Sequence, residues 1–170
     1  ARLLSQDGYK IVGLSDSSGS LINMAGLQVD EIIRDKNNRK LNLYEPKEKI
    51  FDVKCDIFVP AALENSVDFV DCEYVLELAN GPIFDDSKFL NNGAKIIPDI
   101  IANAGGVVVS YFEWCQNLSG LMMSEKEVHD RLESAMTEQF TKILELSEEN
   151  NLDWRTATWL HSINKFKDLV

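Results

Sequence analysis

The residues best suited to chemistry sit at the ends of short apolar segments. In Pro98-Asp99-Ile100-Ile101-Ala102-Asn103-Ala104-Gly105-Gly106, one carboxamide lies beside paired glycines. Glycines let a backbone approach a ligand closely, because no Cβ intervenes. Asn103 offers a donor and an acceptor, which suits a carboxamide or a hydroxyl. The same run also reads as a helix entry with a polar cap. Asp16 closes the apolar stretch Ile11-Val12-Gly13-Leu14-Ser15. A carboxylate at a strand end can accept hydrogen bonds from the hydroxyls of a ribose. It can equally be a turn aspartate before Ser17-Ser18-Gly19. Pro60-Ala61-Ala62 ends another apolar run in small residues. Such residues leave room for a bound sugar, or simply allow a helix to pack. Asn80-Gly81-Pro82 is a turn by local chemistry. Ser110 lies inside a helical stretch, where a serine can bond its own backbone.

The elements that must carry these residues can be read around them. Four near-continuous apolar strands span about 9–15, 56–61, 74–79 and 94–97. Each ends in turn or polar residues, and helical stretches separate them. That pattern predicts a parallel sheet covered on both faces. A helix is expected near 26–36 and a short one over 85–91, closed by Asn92-Gly93. Residues 38–55 are polar, with room for a short edge strand. Ala1–Asp7 reads as the last turns of a helix with Gly8 as its C′ residue. A helix tail at the very start reads as a fragment of a longer chain. Ser124 with Glu127 makes a capping box. Behind it Val128, Leu132, Ala135, Met136, Phe140, Ile143 and Leu144 recur at helical spacing, so one face is buried. Asn150-Asn151 breaks that helix, and Asp153 caps a last one. Tyr111, Phe112 and Trp114 read as core aromatics.

The run from Pro98 to Trp114 resembles the signature of the glutamate dehydrogenase group of amino-acid dehydrogenases. Three further segments resemble the same family in the same order: Ile11–Gly19, Asp56–Asn65 and Glu77–Pro82. After Trp114 the resemblance rests on helix pattern and on Arg155-Thr156-Ala157. It implies an α/β fold: a Rossmann-like doubly wound parallel sheet lacking its first strand and glycine-rich loop, with C-terminal helices. Residues 1–170 would be a partial NAD(P)-binding domain. Within it, 1–120 form the sheet and cofactor-site remnant, 121–170 form the helices, and the substrate domain is absent. Strands 9–15 and 56–61 would both flank a strand outside the chain. The cofactor is NAD or NADP. The resemblance implies cofactor contacts at Asp16, Ser17, Ala61, Ala62, Asn80 and Asn103. Asn80 would lie near the nicotinamide ribose, and Asn103 at the nicotinamide end and the substrate. Ser17 and Ser18 could tolerate a 2′-phosphate. Ser110 matches the serine that binds the distal carboxylate of glutamate. The family's catalytic lysine and aspartate have no match here.

The implied reaction is reversible oxidative deamination of L-glutamate to 2-oxoglutarate and ammonia, by a homo-oligomer. A leucine or phenylalanine dehydrogenase is the alternative within the family. A nucleotide-binding or assembly module without catalysis is the alternative outside it. An apolar substrate side chain would leave the Ser110 hydroxyl unpaired, which argues for glutamate. Beyond the unmatched lysine and aspartate, a second departure from the family is visible. Only eight residues lie between Asn65 and Tyr74, whereas a parallel crossover wants about a dozen or more. The helix there must be shortened or replaced by a loop.

Composition bounds the remaining possibilities. The 170 residues are 45% hydrophobic and carry a net charge of −11, enough for one core and unsuited to phosphate backbones. Nucleic acid is therefore excluded as a partner. No apolar run approaches the roughly 18–20 residues needed to cross a bilayer. Cys55, Cys72 and Cys115 are odd in number and widely spaced, which suits reduced thiols in the cytoplasm or a mitochondrial matrix. His129 and His161 have no ligand-like neighbours, and no metal site is expected.

Overall fold

The computed structural model describes residues 1–37 and 44–167. The chain divides into two compact units. One comprises Ala1–Asp56 with Phe69–Cys72, the other Ile57–Asp68 with Glu73–Val170.

In the first unit α1 (Arg2–Gln6) ends at Asp7, and Gly8 follows at φ +91°, the left-handed C′ conformation expected of it. β1 (Gly13–Asp16) then turns through Ser17-Ser18 into β2 (Gly19–Ile22). The two are antiparallel, with Gly13 opposite Ile22 and Asp16 opposite Gly19. The strand expected at 9–15 is shorter, and no strand was expected at 19–22 as its antiparallel partner. The cause is local. Asp16 Oδ1 accepts the Ser18 N–H at 2.7 Å, which folds the chain back. Gly19 has φ +148°, and a Cβ there would lie 2.6 Å from the Glu45 carbonyl oxygen. Only glycine admits the Tyr44-Glu45 backbone so close. Ser20 and Glu45 exchange both backbone hydrogen bonds at 2.8 Å. That bridge is what the structure describes of the expected edge strand, since 38–43 lie outside the described residues. α2 (Val29–Asn37) precedes it, and a short 3-10 helix, Lys47–Asp52, follows.

The larger sheet has β3 (Cys55–Phe58), β4 (Cys72–Leu76) and β5 (Lys95–Ile97) in the order β3-β4-β5. It is the parallel sheet of an α/β, Rossmann-like domain, with Val75 opposite Ile96 in the β4–β5 ladder. β1 pairs with β2 in a separate sheet. A loop joins β3 to β4 as the short spacing requires. It reverses at Asn65 (φ +46°) and bridges Val67 to Ile83.

The second unit packs its helices on this sheet. α3 (Asp86–Asn91) starts where Asp85 accepts the Ser87 N–H, and it buries Phe89 completely. α4 (Asp99–Ala102) and α5 (Gly105–Ser119) follow. α6 (Glu125–Asn150) begins with the full Ser124–Glu127 capping box and stops at left-handed Asn151. α7 (Trp154–Lys167) begins where Asp153 accepts the Thr156 N–H at 2.9 Å. Ile101, Ile143 and Ala157 form the centre of this core, packed by Ile97, Met136, Phe140 and Leu152. Trp154 stacks on Tyr74 and stands edge-on to Phe140 at 5.7 Å. No described helix is long and apolar enough to cross a membrane.

The reading of Tyr111, Phe112 and Trp114 as core aromatics is overturned. Tyr111 is 58% exposed and Trp114 57%, while Phe112 is half-buried. With exposed Val107 and Leu118 the first two form a stripe at helical spacing. α5 lies against α6, and this stripe stays on the surface of the chain. The spacing marks an apolar face, but it does not say what covers that face.

Candidate functional site

The second unit brings four of the expected residues together. β3 runs out at Pro60, whose carbonyl accepts the N–H groups of Leu78 (3.0 Å) and Ala79 (2.9 Å). The stretch after β3 is thus tied to the stretch after β4. Further along, Asn65 N–H donates to the Gly81 carbonyl at 2.8 Å, and Ser66 and Val67 donate to that of Pro82. Between these ties lies an open cleft of about 390 Å³, lined by Ala61, Ala62, Leu63, Glu64, Leu78, Ala79 and Asn80. Three of these are alanines, so the width follows from side-chain size.

Asn80 and Asn103 meet at its edge. Asn103 Nδ2 donates to Asn80 Oδ1 at 2.7 Å and more weakly to the Leu78 carbonyl at 3.4 Å. The pair spends one donor and one acceptor. Asn103 Oδ1 and the Asn80 amide hydrogens remain to meet a ligand. Asn103 closes α4 and does not open α5, which starts after Ala104 without a side-chain cap, so the reading of a helix entry with a polar cap is corrected. A Cβ on Gly105 would make only ordinary contact with Leu132, and one on Gly106 would meet nothing within 4 Å. Packing within this chain demands glycine at neither place. The gap they leave beside Asn103 is open surface.

A charged cluster that the sequence does not reveal holds this arrangement. Arg155 on α7 donates through Nη2 to Glu77 Oε1 at 2.9 Å, and it forks onto the Asp86 carboxylate. Its Nη1 lies 3.8 Å from Asp99 Oδ1. Burial opposes the guanidinium charge, but the hydrogen bonds to Glu77 and Asp86 more than offset it and raise its pKa. Glu77 is completely buried. Its second oxygen accepts the Asp99 N–H at 3.0 Å. Asp99 Oδ2 in turn accepts the Gly81 N–H at 2.9 Å, one residue past Asn80. Glu77, Asp99 and Arg155 all fall in segments that carry the family resemblance, but nothing in the sequence joins them.

The other two expected contacts stand apart in their bonding. Asp16 and Ser17 belong to the hairpin of the first unit. Lys36 grips the Asp16 carboxylate, and with the Ser18 N–H it draws the Asp16 pKa down. Asp16 therefore acts as a turn residue and also presents a paired anion at a strand end. Ser110 Oγ donates to the Gly106 carbonyl at 2.9 Å, the backbone bond open to any helical serine. None of the three cysteines is in a disulfide. Among the described residues no cluster could hold a metal ion. His161 instead meets Gln139 Oε1 at 3.1 Å, and burial lowers its pKa.

One protein-family model, described as glutamate/leucine/phenylalanine/valine dehydrogenase, matches residues 1–170. The chain is 36% identical to the NADP-specific glutamate dehydrogenase of Synechocystis, with 100% of the chain and 45% of that protein aligned. It is 37% identical to a catabolic NAD-specific glutamate dehydrogenase of Bacillus subtilis, across 97% of the chain and 42% of that protein. The fold matches a hetero-hexameric glutamate dehydrogenase from Thermus thermophilus at a TM-score of 0.90 and 24% identity, covering 99% of the chain and 43% of that structure. The glutamate dehydrogenase of Peptoniphilus asaccharolyticus gives 0.80 at 29% identity, over 98% and 41%. The chain thus spans less than half the length of the relatives it matches.

Proposed function

The chain belongs to the glutamate/leucine/phenylalanine/valine dehydrogenase family, and we propose that it is the cofactor-binding part of an NAD(P)-dependent glutamate dehydrogenase. The parent reaction is reversible oxidative deamination of L-glutamate to 2-oxoglutarate and ammonia. The observation that carries the reading is the Asn80–Asn103 carboxamide pair at the lip of the alanine-lined cleft. A nicotinamide cofactor fits these residues. The open cleft admits a ribose beside Ala61 and Ala62. The pair keeps both a donor and an acceptor for a carboxamide.

A nicotinamide held here would supply the acceptor for hydride from the substrate α-carbon. The protein groups do the rest. Asn103 and Asn80 orient the nicotinamide ring and its ribose, and the open surface at Gly105-Gly106 lets ligand approach backbone. Asp16 and Ser17 take the adenine ribose, with Lys36 beside the carboxylate to balance a 2′-phosphate if one is present. Proton transfer is assigned to the lysine and aspartate of the family, which have no match in this chain.

The case for glutamate over leucine or phenylalanine rests on the named relatives. The Ser110 argument is weaker than its sequence suggests. Its hydroxyl already donates to Gly106, so an apolar substrate would not leave it unpaired. To bind a carboxylate it must turn its proton away from that carbonyl. The net charge of −11 disfavours nucleic acid. Three cysteines outside any disulfide suit the cytoplasm or a mitochondrial matrix, and cell fractionation tests this. A homo-oligomer is proposed on family likeness, with light scattering of the full-length protein as its check. The functional test is Asn103→Ala in that protein. Glutamate-dependent NAD(P) reduction should fall at least tenfold in kcat/KM. Unchanged turnover removes Asn103 from the site.

A further inference from the structure

We propose that Arg155, Glu77 and Asp99 are positioning residues for the nicotinamide end of the cofactor site, acting through the two asparagines; the proposal rests on the cofactor reading above. Both asparagines hang from the same charged knot. Glu77 lies three residues before Asn80, and Asp99 four before Asn103. The Glu77 carboxylate divides its oxygens between Arg155 and the first N–H of α4. That fixes where α4 begins and so where Asn103, its closing residue, stands. The Asp99 carboxylate holds the Gly81 N–H, which fixes the backbone next to Asn80. One guanidinium thereby sets two loops whose side chains must meet at 2.7 Å.

Attachment alone does not call for such a device. Ile101 already anchors α4 in the apolar core with Ile143 and Ala157. A completely buried carboxylate is a costly way to add stability, since desolvation works against it. What directed, charge-assisted hydrogen bonds supply is orientation. Orientation is what a hydride-transfer site needs at the ring and does not need at the adenine end.

The test compares two ligands on the full-length protein by calorimetry. One is NAD; the other is ADP, which lacks both the nicotinamide and its ribose (their 2′-phosphorylated forms serve if the parent uses NADP). Arg155→Met should weaken NAD about three- to tenfold, the range of one or two displaced hydrogen bonds, and leave ADP within about twofold. Asp99→Ala removes the acceptor for Gly81 together with the one for the Ile100 N–H and the charge beside Arg155; it leaves the Arg155–Glu77 bond in place and should show the same selective loss, even if Arg155→Met does not fold. Equal weakening of both ligands, or no change in either, overturns the proposal. Asn103→Ala in the same assay separates the two levels of the argument. If it shifts the NAD to ADP ratio and the knot variants do not, the positioning claim alone falls. If Asn103→Ala shifts nothing, the cofactor reading falls and takes this proposal with it.

Discussion

Two ion pairs stand at the proposed cofactor contacts, and the surroundings treat them differently. Arg155 meets Glu77 with side chains 25% and 0% exposed. Lys36 meets Asp16 with 57% and 29%. Water competes for the second pair and salt screens it, so it contributes little to stability. The first pair has no such alternative, and every oxygen of Glu77 is committed. The contrast suggests a division of labour. The proposed nicotinamide end rests on buried charge, which tolerates little rearrangement. The proposed adenine-ribose end rests on a surface pair that could open for one cofactor or another.

Breaking each pair should expose that difference. Arg155→Met strands a buried carboxylate and should cost about 3–5 kcal/mol in urea unfolding of the full-length protein. Lys36→Met should leave the midpoint unchanged. Comparable losses at both sites would erase the contrast.

Ser110→Ala probes a third kind of contact, a hydroxyl whose proton is already spent. If Ser110 binds the distal carboxylate, kcat/KM for glutamate should fall by about 1.5–3 kcal/mol of transition-state stabilisation, with cofactor affinity unchanged. Unchanged glutamate kinetics would assign the serine to its helix alone.

The surface pair should govern cofactor choice. Asp16→Asn should loosen NAD more than NADP, and Lys36→Ala the reverse, each about three- to tenfold in Kd. Parallel losses would show that the pair only shapes the turn. Smallest of all is a pH effect at His161, whose folded pKa burial depresses below the ordinary histidine value. The unfolded chain then binds the proton more readily. This contribution to stability is fully present above the unfolded pKa and is lost as pH falls through the folded one. His161→Gln should flatten the melting temperature between about pH 7.5 and 5.5; an unaltered profile would count against it.

The legible parts of the molecule were those fixed by neighbours in sequence. Ser124 with Glu127, Asn151, Asp153 and Gly8 each act within one helical turn, and each sits where its chemistry predicts. The apolar strands at 56–61, 74–79 and 94–97 pair as expected in kind, though each is shorter than its apolar run. β2 was missed because Gly19-Ser20-Leu21-Ile22 follows two serines, and its partner contacts at Glu45 are distant in sequence. Arg155 was illegible for the same reason. Its partners Glu77 and Asp86 are 78 and 69 residues away, and an arginine opening a helix looks like any solvated cation. Asn80 and Asn103 could be named from family resemblance, but their direct bond could not. Tyr111 and Trp114 mark the opposite limit: read as core aromatics, they lie exposed beside Val107 and Leu118.

The most direct test is a crystal structure of the full-length protein with its oxidised cofactor bound. The nicotinamide carboxamide or its ribose should lie within hydrogen-bonding distance of Asn103 or Asn80, with the Arg155–Glu77–Asp99 chain intact beneath them. A nicotinamide bound away from both asparagines would contradict the account.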